Sequence, residues 1–283
     1  MRRVATVPLV FLCTIFLFTA NCRNTPCLAL DPTCGAGLLL YILPPAAVVA
    51  PNFVSTTAPD TAAIALTDAL SFTFDQTLNE DSCAADGSLG EASFDYSGAT
   101  VTLSPASGSW DRGDGLGLNL SGCVGEELGT ADTLSYTYFA ADVVLYVNVD
   151  GSDSNAGTRE APMATAGAAI TAAATTCSSG GTACAVNIGA GTYNVTASVT
   201  PGNRVSLFGG YSTDFNERDP NATHTSRLVG SGIAPNQVVA LSAVTEVIVD
   251  GLYIEQPSQA GANCDAVGFF GTTSNSTIRN NII

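Results

Sequence analysis

The chain has 283 residues, 25 acidic against 9 basic, one His, and a formal net charge of −16 at pH 7. Clustered Lys and Arg are what phosphate backbones and anionic lipid headgroups require, so this charge balance excludes nucleic acid as a partner and a polybasic membrane grip. With 46% hydrophobic and only 12% charged residues, it is not the composition of a disordered chain, and the Gly, Ser, Thr, Asn and Val richness predicts a β-rich extracellular protein.

Residues 1–21 read as an export signal. Met1-Arg2-Arg3 forms a short positive region, and the apolar run from Val7 to Thr19 is shorter than the ~20 residues of a membrane span. Leu17-Phe18-Thr19-Ala20-Asn21-Cys22 resembles a bacterial lipobox, with Asn21 in place of the usual small residue. The resemblance implies lipidation at Cys22 and a place in the bacterial cell envelope, as an outer-membrane lipoprotein held to the membrane by its N-terminal lipid. Two or more acyl chains give durable anchoring. Residues 22–50 then read as a tether, in which Pro44-Pro45 stops a short apolar run.

The remaining cysteines suit an oxidising compartment. Plausible pairs are Cys27 with Cys34, Cys83 with Cys123, and Cys177 with Cys184, leaving Cys264 over; spacing alone does not establish connectivity.

Residues 51–140 carry short runs with period-two alternation, separated by Gly, Pro, Asp and Ser. Among them are Leu70–Asp75, Thr100–Leu103, Gly117–Leu120 and Leu134–Tyr138. The stretch "TVTLSPASGSWDRGDGLGLNLSGCVGEELGT" followed by "LSYTYF" resembles the bacterial Ig-like domains of surface lipoproteins, which implies a β-sandwich. Arg112-Gly113-Asp114 spells an adhesion tripeptide, for which a Gly-rich turn is sufficient reason.

Residues 143–283 predict a solenoid. A strand at Val143–Val149 leads through a turn-rich loop to an Ala-rich helix at Thr165–Thr176. This stretch, "LYVNVDGSDSNAGTREAPMATAGAAITAAATT", resembles the N-terminal cap of the pectin-lyase-like superfamily, and "GAGTY…GGYS" is similar to its first coils. Apolar strands then recur at intervals of about 20 residues (Leu207, Leu228, Ile248), with a longer step of about 30 to Ile278. The fold class expected is therefore all-β: an Ig-like β-sandwich followed by a truncated right-handed parallel β-helix with an N-terminal capping helix. Because the chain stops at Ile282-Ile283 inside a strand, either a truncated product or self-association through an uncapped end is expected.

Residues able to do chemistry are few. Asp150, Asp153 and Asn155 place oxygens close together and form a weak Ca²⁺ candidate, though the loop completes no Ca²⁺ motif and Asx turns account for it. Asp250 reads as a turn residue, and His224 stands alone in a polar loop. No catalytic set or other cofactor site is assigned. The function expected is a non-catalytic envelope protein whose β-helix surface takes a polysaccharide or host-surface ligand. The alternatives are a polysaccharide lyase or hydrolase, or a fragment of a longer surface protein.

Overall fold

The computed structural model describes residues 48–177, 181–220, 222–231, 237–256 and 275–283. The expected signal segment, Cys22, and the Cys27–Cys34 pair lie outside the described residues, as does Cys264.

The first sheet is antiparallel, in the order β1 (Phe53–Thr56), β3 (Leu70–Phe74), β6 (Thr100–Pro105), β5 (Ala92–Ser97). The second runs β2 (Ala63–Ala65), β8 (Leu134–Ala141), β7 (Gly113–Ser121), β4 (Ala84–Gly87), and its β2–β8 pair is parallel. Alternation decides what is buried: Leu70, Phe72 and Phe74 of β3 point inward, while Ser71 and Thr73 point outward and bond to Thr102 and Thr100 of β6. Phe72, Leu103, Leu118 and Tyr138 bring the inner faces of both sheets into one core. A disulfide joins Cys83, just before β4, to Cys123, just after β7.

The second half holds two parallel sheets. Five strands run in the order β16 (Thr277–Arg279), β14 (Ile248–Asp250), β12 (Val205–Tyr211), β10 (Cys184–Gly189), β9 (Val143–Val147). Three run β11 (Gly191–Val195), β13 (Ser226–Gly230), β15 (Leu252–Glu255). Helix α1 (Ala166–Cys177) buries Ala169, Ile170 and Ala173 on the core between these sheets. Small Ala side chains let it lie close, and a Cys177–Cys184 disulfide ties its end to the start of β10. Thr165 begins the helix: its Oγ1 accepts from the Ala168 N–H at 3.2 Å, the usual N-cap bond.

These facts correct both the expected fold class and the expected family. The described chain is all-β, built from one antiparallel, one mixed and two parallel sheets with one short helix, and it is not a pectin-lyase-like right-handed β-helix behind an Ig-like module. Among the described residues the parallel sheets are unequal, five strands against three, and a third face is represented by the isolated Val199–Val239 bridge. The apolar recurrence misleads for a physical reason. Leu207 and Leu228 lie in different sheets; beside Leu207 in its own sheet are Val186, 21 residues earlier, and Val249, 42 residues on. An apolar strand has the same pattern whichever sheet it joins. The turn between β14 and β15 falls at Gly251: its φ is 74°, and a Cβ there would press on Pro220 and Arg218.

The two halves share a core. On the five-stranded sheet, Ala185 and Phe208 face the antiparallel half, while Val186, Ile188 and Leu207 face α1 and the three-stranded sheet. Residues 48–283 form one compact unit.

Candidate functional site at the junction of the sheets

The free edge of β2 explains how the site arises. An edge strand presents unpaired N–H and C=O groups that need partners. Here side chains supply them. The Ala63 N–H donates to the Tyr211 hydroxyl at 2.9 Å, and its carbonyl accepts from Asn187 Nδ2 at 3.0 Å. The Ala65 N–H donates to Asp68 Oδ2 at 2.8 Å, and the Thr61 carbonyl accepts from Arg218 Nη1 at 3.1 Å. Three of these four partners come from the parallel half.

Register aligns the polar groups. Tyr146 pairs with Asn187, Asn187 with Phe208, Phe208 with Asp250, and Asp250 with Arg279. One cross-strand row thus runs the width of the five-stranded sheet on the face toward the antiparallel half.

At the charged end of this row, Arg218 and Asp250 are each 1% exposed and lie 3.2 Å apart. That Arg218 nitrogen, Nη2, meets Asp250 as an ion pair whose angle falls short of a hydrogen bond. Asp250 also accepts from Arg279 Nε at 2.7 Å and Asn280 Nδ2 at 3.0 Å. Arg279 in turn grips both oxygens of Asp114 at 2.8 and 2.9 Å. Arg112 is paired with Asp142 and the Gly181 carbonyl. Both charges of the Arg112-Gly113-Asp114 tripeptide are therefore engaged inside the molecule.

At the other end of the row lies a cavity of about 320 Å³, at the low end of the ~300–1,000 Å³ typical of small-ligand sites. Its wall includes Asp68, Tyr146, Glu160, Asn187, Tyr211 and Phe215. Asn187 is 1% exposed, and its Oδ1 has no hydrogen-bond partner. A buried carboxamide oxygen left this way costs about 1–3 kcal/mol, and the Tyr146 side chain interacts with the same carboxamide. Burial pushes the Asp68 carboxyl above its ordinary pKa, opposed by the Ala65 N–H and by Arg159. Burial raises the Tyr146 hydroxyl as well, with the nearby Asp68 charge adding to the effect. Tyr211 is pushed up to about 12, again by burial, while Arg218 works in the opposite direction. The Tyr146 and Phe215 rings meet edge-on with centroids 4.9 Å apart.

Arg159 straps the rim. Its Nε donates to the Asp214 carbonyl at 3.1 Å, Nη1 to the Thr57 carbonyl at 2.8 Å, and Nη2 to Asn216 Oδ1 at 2.6 Å. The turn it holds is itself ordered by Asp214, whose carboxyl is lowered to about 2 by hydrogen bonds from Ser212 and Asn216.

The loop over 150–155, which holds Asp150, Asp153 and Asn155, is fixed by hydrogen bonds of its own. Asp153 Oδ1 accepts from the Ala164 and Thr165 N–H groups at 3.0 and 2.9 Å, and Oδ2 accepts from the Thr165 hydroxyl at 3.0 Å. Asn155 Nδ2 donates to the Pro162 carbonyl, and the Asp150 N–H donates to Asn148 Oδ1. These residues fasten the loop to the start of α1. Among the described residues, no group of three or more His, Cys, Asp or Glu is placed to hold a metal. His224 bonds to Glu217 at 3.0 Å, away from the cavity wall.

A second groove, of about 470 Å³, lies between α1 and β11. Hydroxyl and apolar side chains and the Asn194 carboxamide line it, and no charged one does. The junction cavity is the one of the described cavities that joins titratable groups to an unpartnered buried polar atom.

No family model matches the chain. No curated protein matches it either. Among solved structures, it is similar to PcoC, a methionine-rich copper resistance protein from Escherichia coli, at 13% identity over 32% of this chain and 99% of that one, with a TM-score of 0.28. It is also similar to the LD transpeptidase LdtMt1 in complex with imipenem (15% identity, 35% of this chain, 44% of that one, TM-score 0.24). A third is an L,D-transpeptidase from Mycobacterium smegmatis (12%, 36%, 46%, TM-score 0.24). Likeness this slight carries no argument about function. The resemblance to the pectin-lyase-like superfamily finds no support in these comparisons.

Nothing in the sequence marks the cavity residues as a set. Asn187 sits in "CAVNIG", where a lone polar residue inside an apolar strand was the available signal. Asp68, Tyr146 and Glu160 carried no such mark.

Proposed function

We propose that this is a lipid-anchored cell-envelope protein that binds a glycan without catalysis, and that the junction cavity receives a sugar unit. The observation that carries the reading is the unpartnered Asn187 Oδ1, buried in a cavity wall beside Asp68 and Tyr146. A sugar hydroxyl donates to a carboxamide or carboxylate and accepts from a tyrosine hydroxyl, and its C–H face packs on rings such as those of Tyr146 and Phe215. Lipidation at Cys22 supplies the membrane attachment in this proposal. The exposed Ile278, on the outer strand of the five-stranded sheet, and Ile282, bridged to β15 at the edge of the three-stranded sheet, are where self-association is proposed.

The test is calorimetric titration of the full-length protein with sugars selected on a glycan array. Tyr146→Phe keeps the ring and removes one hydroxyl, so binding is expected to weaken about 2- to 10-fold, the ~0.5–1.5 kcal/mol of one hydrogen bond. Array binding that is indifferent to Tyr146→Phe and to Asp68→Asn refutes the site. Turnover of a bound glycan refutes the non-catalytic part. Radiolabelled palmitate incorporation that is lost in Cys22→Ala supports the anchor; its absence from the native protein overturns it.

A further inference from the structure

Resting on the glycan reading above, we infer that the junction cavity selects a neutral or amino sugar and rejects uronic acids. The charges and the unused hydrogen-bonding capacity of the wall both point this way.

Two carboxyl groups, Asp68 and Glu160, line the cavity. One cation, Arg159, lines it too, but each of its three nitrogens already bonds within the protein. Those bonds hold the 212–217 turn against Thr57, so turning the guanidinium onto a ligand would release the rim. The other nearby cation, Arg218, is buried against Asp250 and stacks between the Phe208 and Tyr211 rings, 5.8 and 5.5 Å from their centroids. The unpartnered group in the wall is an acceptor, Asn187 Oδ1. A sugar hydroxyl or ammonium donates to it; a ligand carboxylate cannot, and would face two carboxyl groups with no free fork of N–H donors to offset them. The molecule as a whole carries −16, which adds to the rejection at low salt.

The experiment measures binding of the full-length protein to four probes: galactose, galactosamine, galacturonic acid and its methyl ester. The acid and ester differ by one charge at nearly the same shape. The ester is expected to bind at least tenfold more tightly than the acid, and galactosamine no more weakly than galactose. Asp68→Asn is expected to narrow the ester-to-acid ratio, whereas Tyr146→Phe weakens both without changing the ratio. Galacturonic acid binding as tightly as its ester, or an unchanged ratio in Asp68→Asn, overturns the inference while leaving the glycan reading intact. If no sugar from the array or among the four binds, the glycan reading falls and takes this inference with it.

Discussion

At the residue scale, two carboxylates, one buried against arginines and one half-buried, answer differently to the loss of their charge. Asp250 is buried but faces Arg218 and Arg279. Removing its charge leaves Arg218 buried without its counter-ion, which typically costs ~3–5 kcal/mol. Asp250→Asn is therefore expected to lower the urea midpoint substantially, and an unchanged midpoint would show that the pair is dispensable. Asp68 is half-buried with its charge poorly compensated, and its folded pKa stands above the ordinary value. The sign follows from linkage: a carboxyl raised on folding favours the folded state at low pH, and that contribution is lost as pH rises through the folded pKa. Asp68→Asn keeps an oxygen for the Ala65 N–H and has no charge to desolvate. It is expected to melt at a higher temperature than the native protein at pH 7, with the difference closing below about pH 4, near the unfolded value. A lower melting temperature at pH 7 would mean that the charge itself is useful. None of this was legible in the sequence, because Asp68 and Asn187 are far apart in the chain and come to one cavity wall only in the fold. Asp250 was read as a turn residue, and Gly251 beside it does make the turn; its buried ion pairs depend on Arg218 and Arg279 arriving from other segments.

At the element scale the sequence was more informative. Alternation located β3, β6 and β8, and the Ala-rich run located α1 to within one residue at each end. Two of the plausible cysteine pairs are formed, Cys83–Cys123 and Cys177–Cys184. Alternation cannot report which strands become neighbours, and it does not mark β11, whose start is masked by Gly189-Ala190-Gly191. The Cys83–Cys123 bridge closes a loop of sequence separation 40, for which chain entropy gives about 4 kcal/mol. Replacing both cysteines by Ser is expected to cost up to that amount in chemical denaturation. Thr165→Ala removes the cap of α1 and is expected to cost about 1 kcal/mol, read in the same way. A loss of less than a few tenths would indicate that Asp153, which binds the same turn, caps the helix alone.

At the scale of the whole molecule, the decisive feature is the closure of the β2 edge by Asn187, Tyr211 and Arg218. These bonds and the shared core of Phe139 and Phe208, whose ring centroids are 5.0 Å apart, join the antiparallel and parallel halves. Thermal unfolding of the described body is accordingly expected to be one cooperative transition. Two separated transitions, the first sparing one half, would contradict that coupling. The same closure creates the cavity, since the side chains that reach across to β2 leave Asn187 Oδ1 without a partner behind them.

The most direct measurement of the binding site is a crystal structure of the full-length protein soaked with the tightest sugar from the array. The expected result is ring density between Tyr146 and Asp68, with a sugar hydroxyl within hydrogen-bond distance of Asn187 Oδ1. A single ordered water on that oxygen, with the sugar elsewhere or absent, would contradict it.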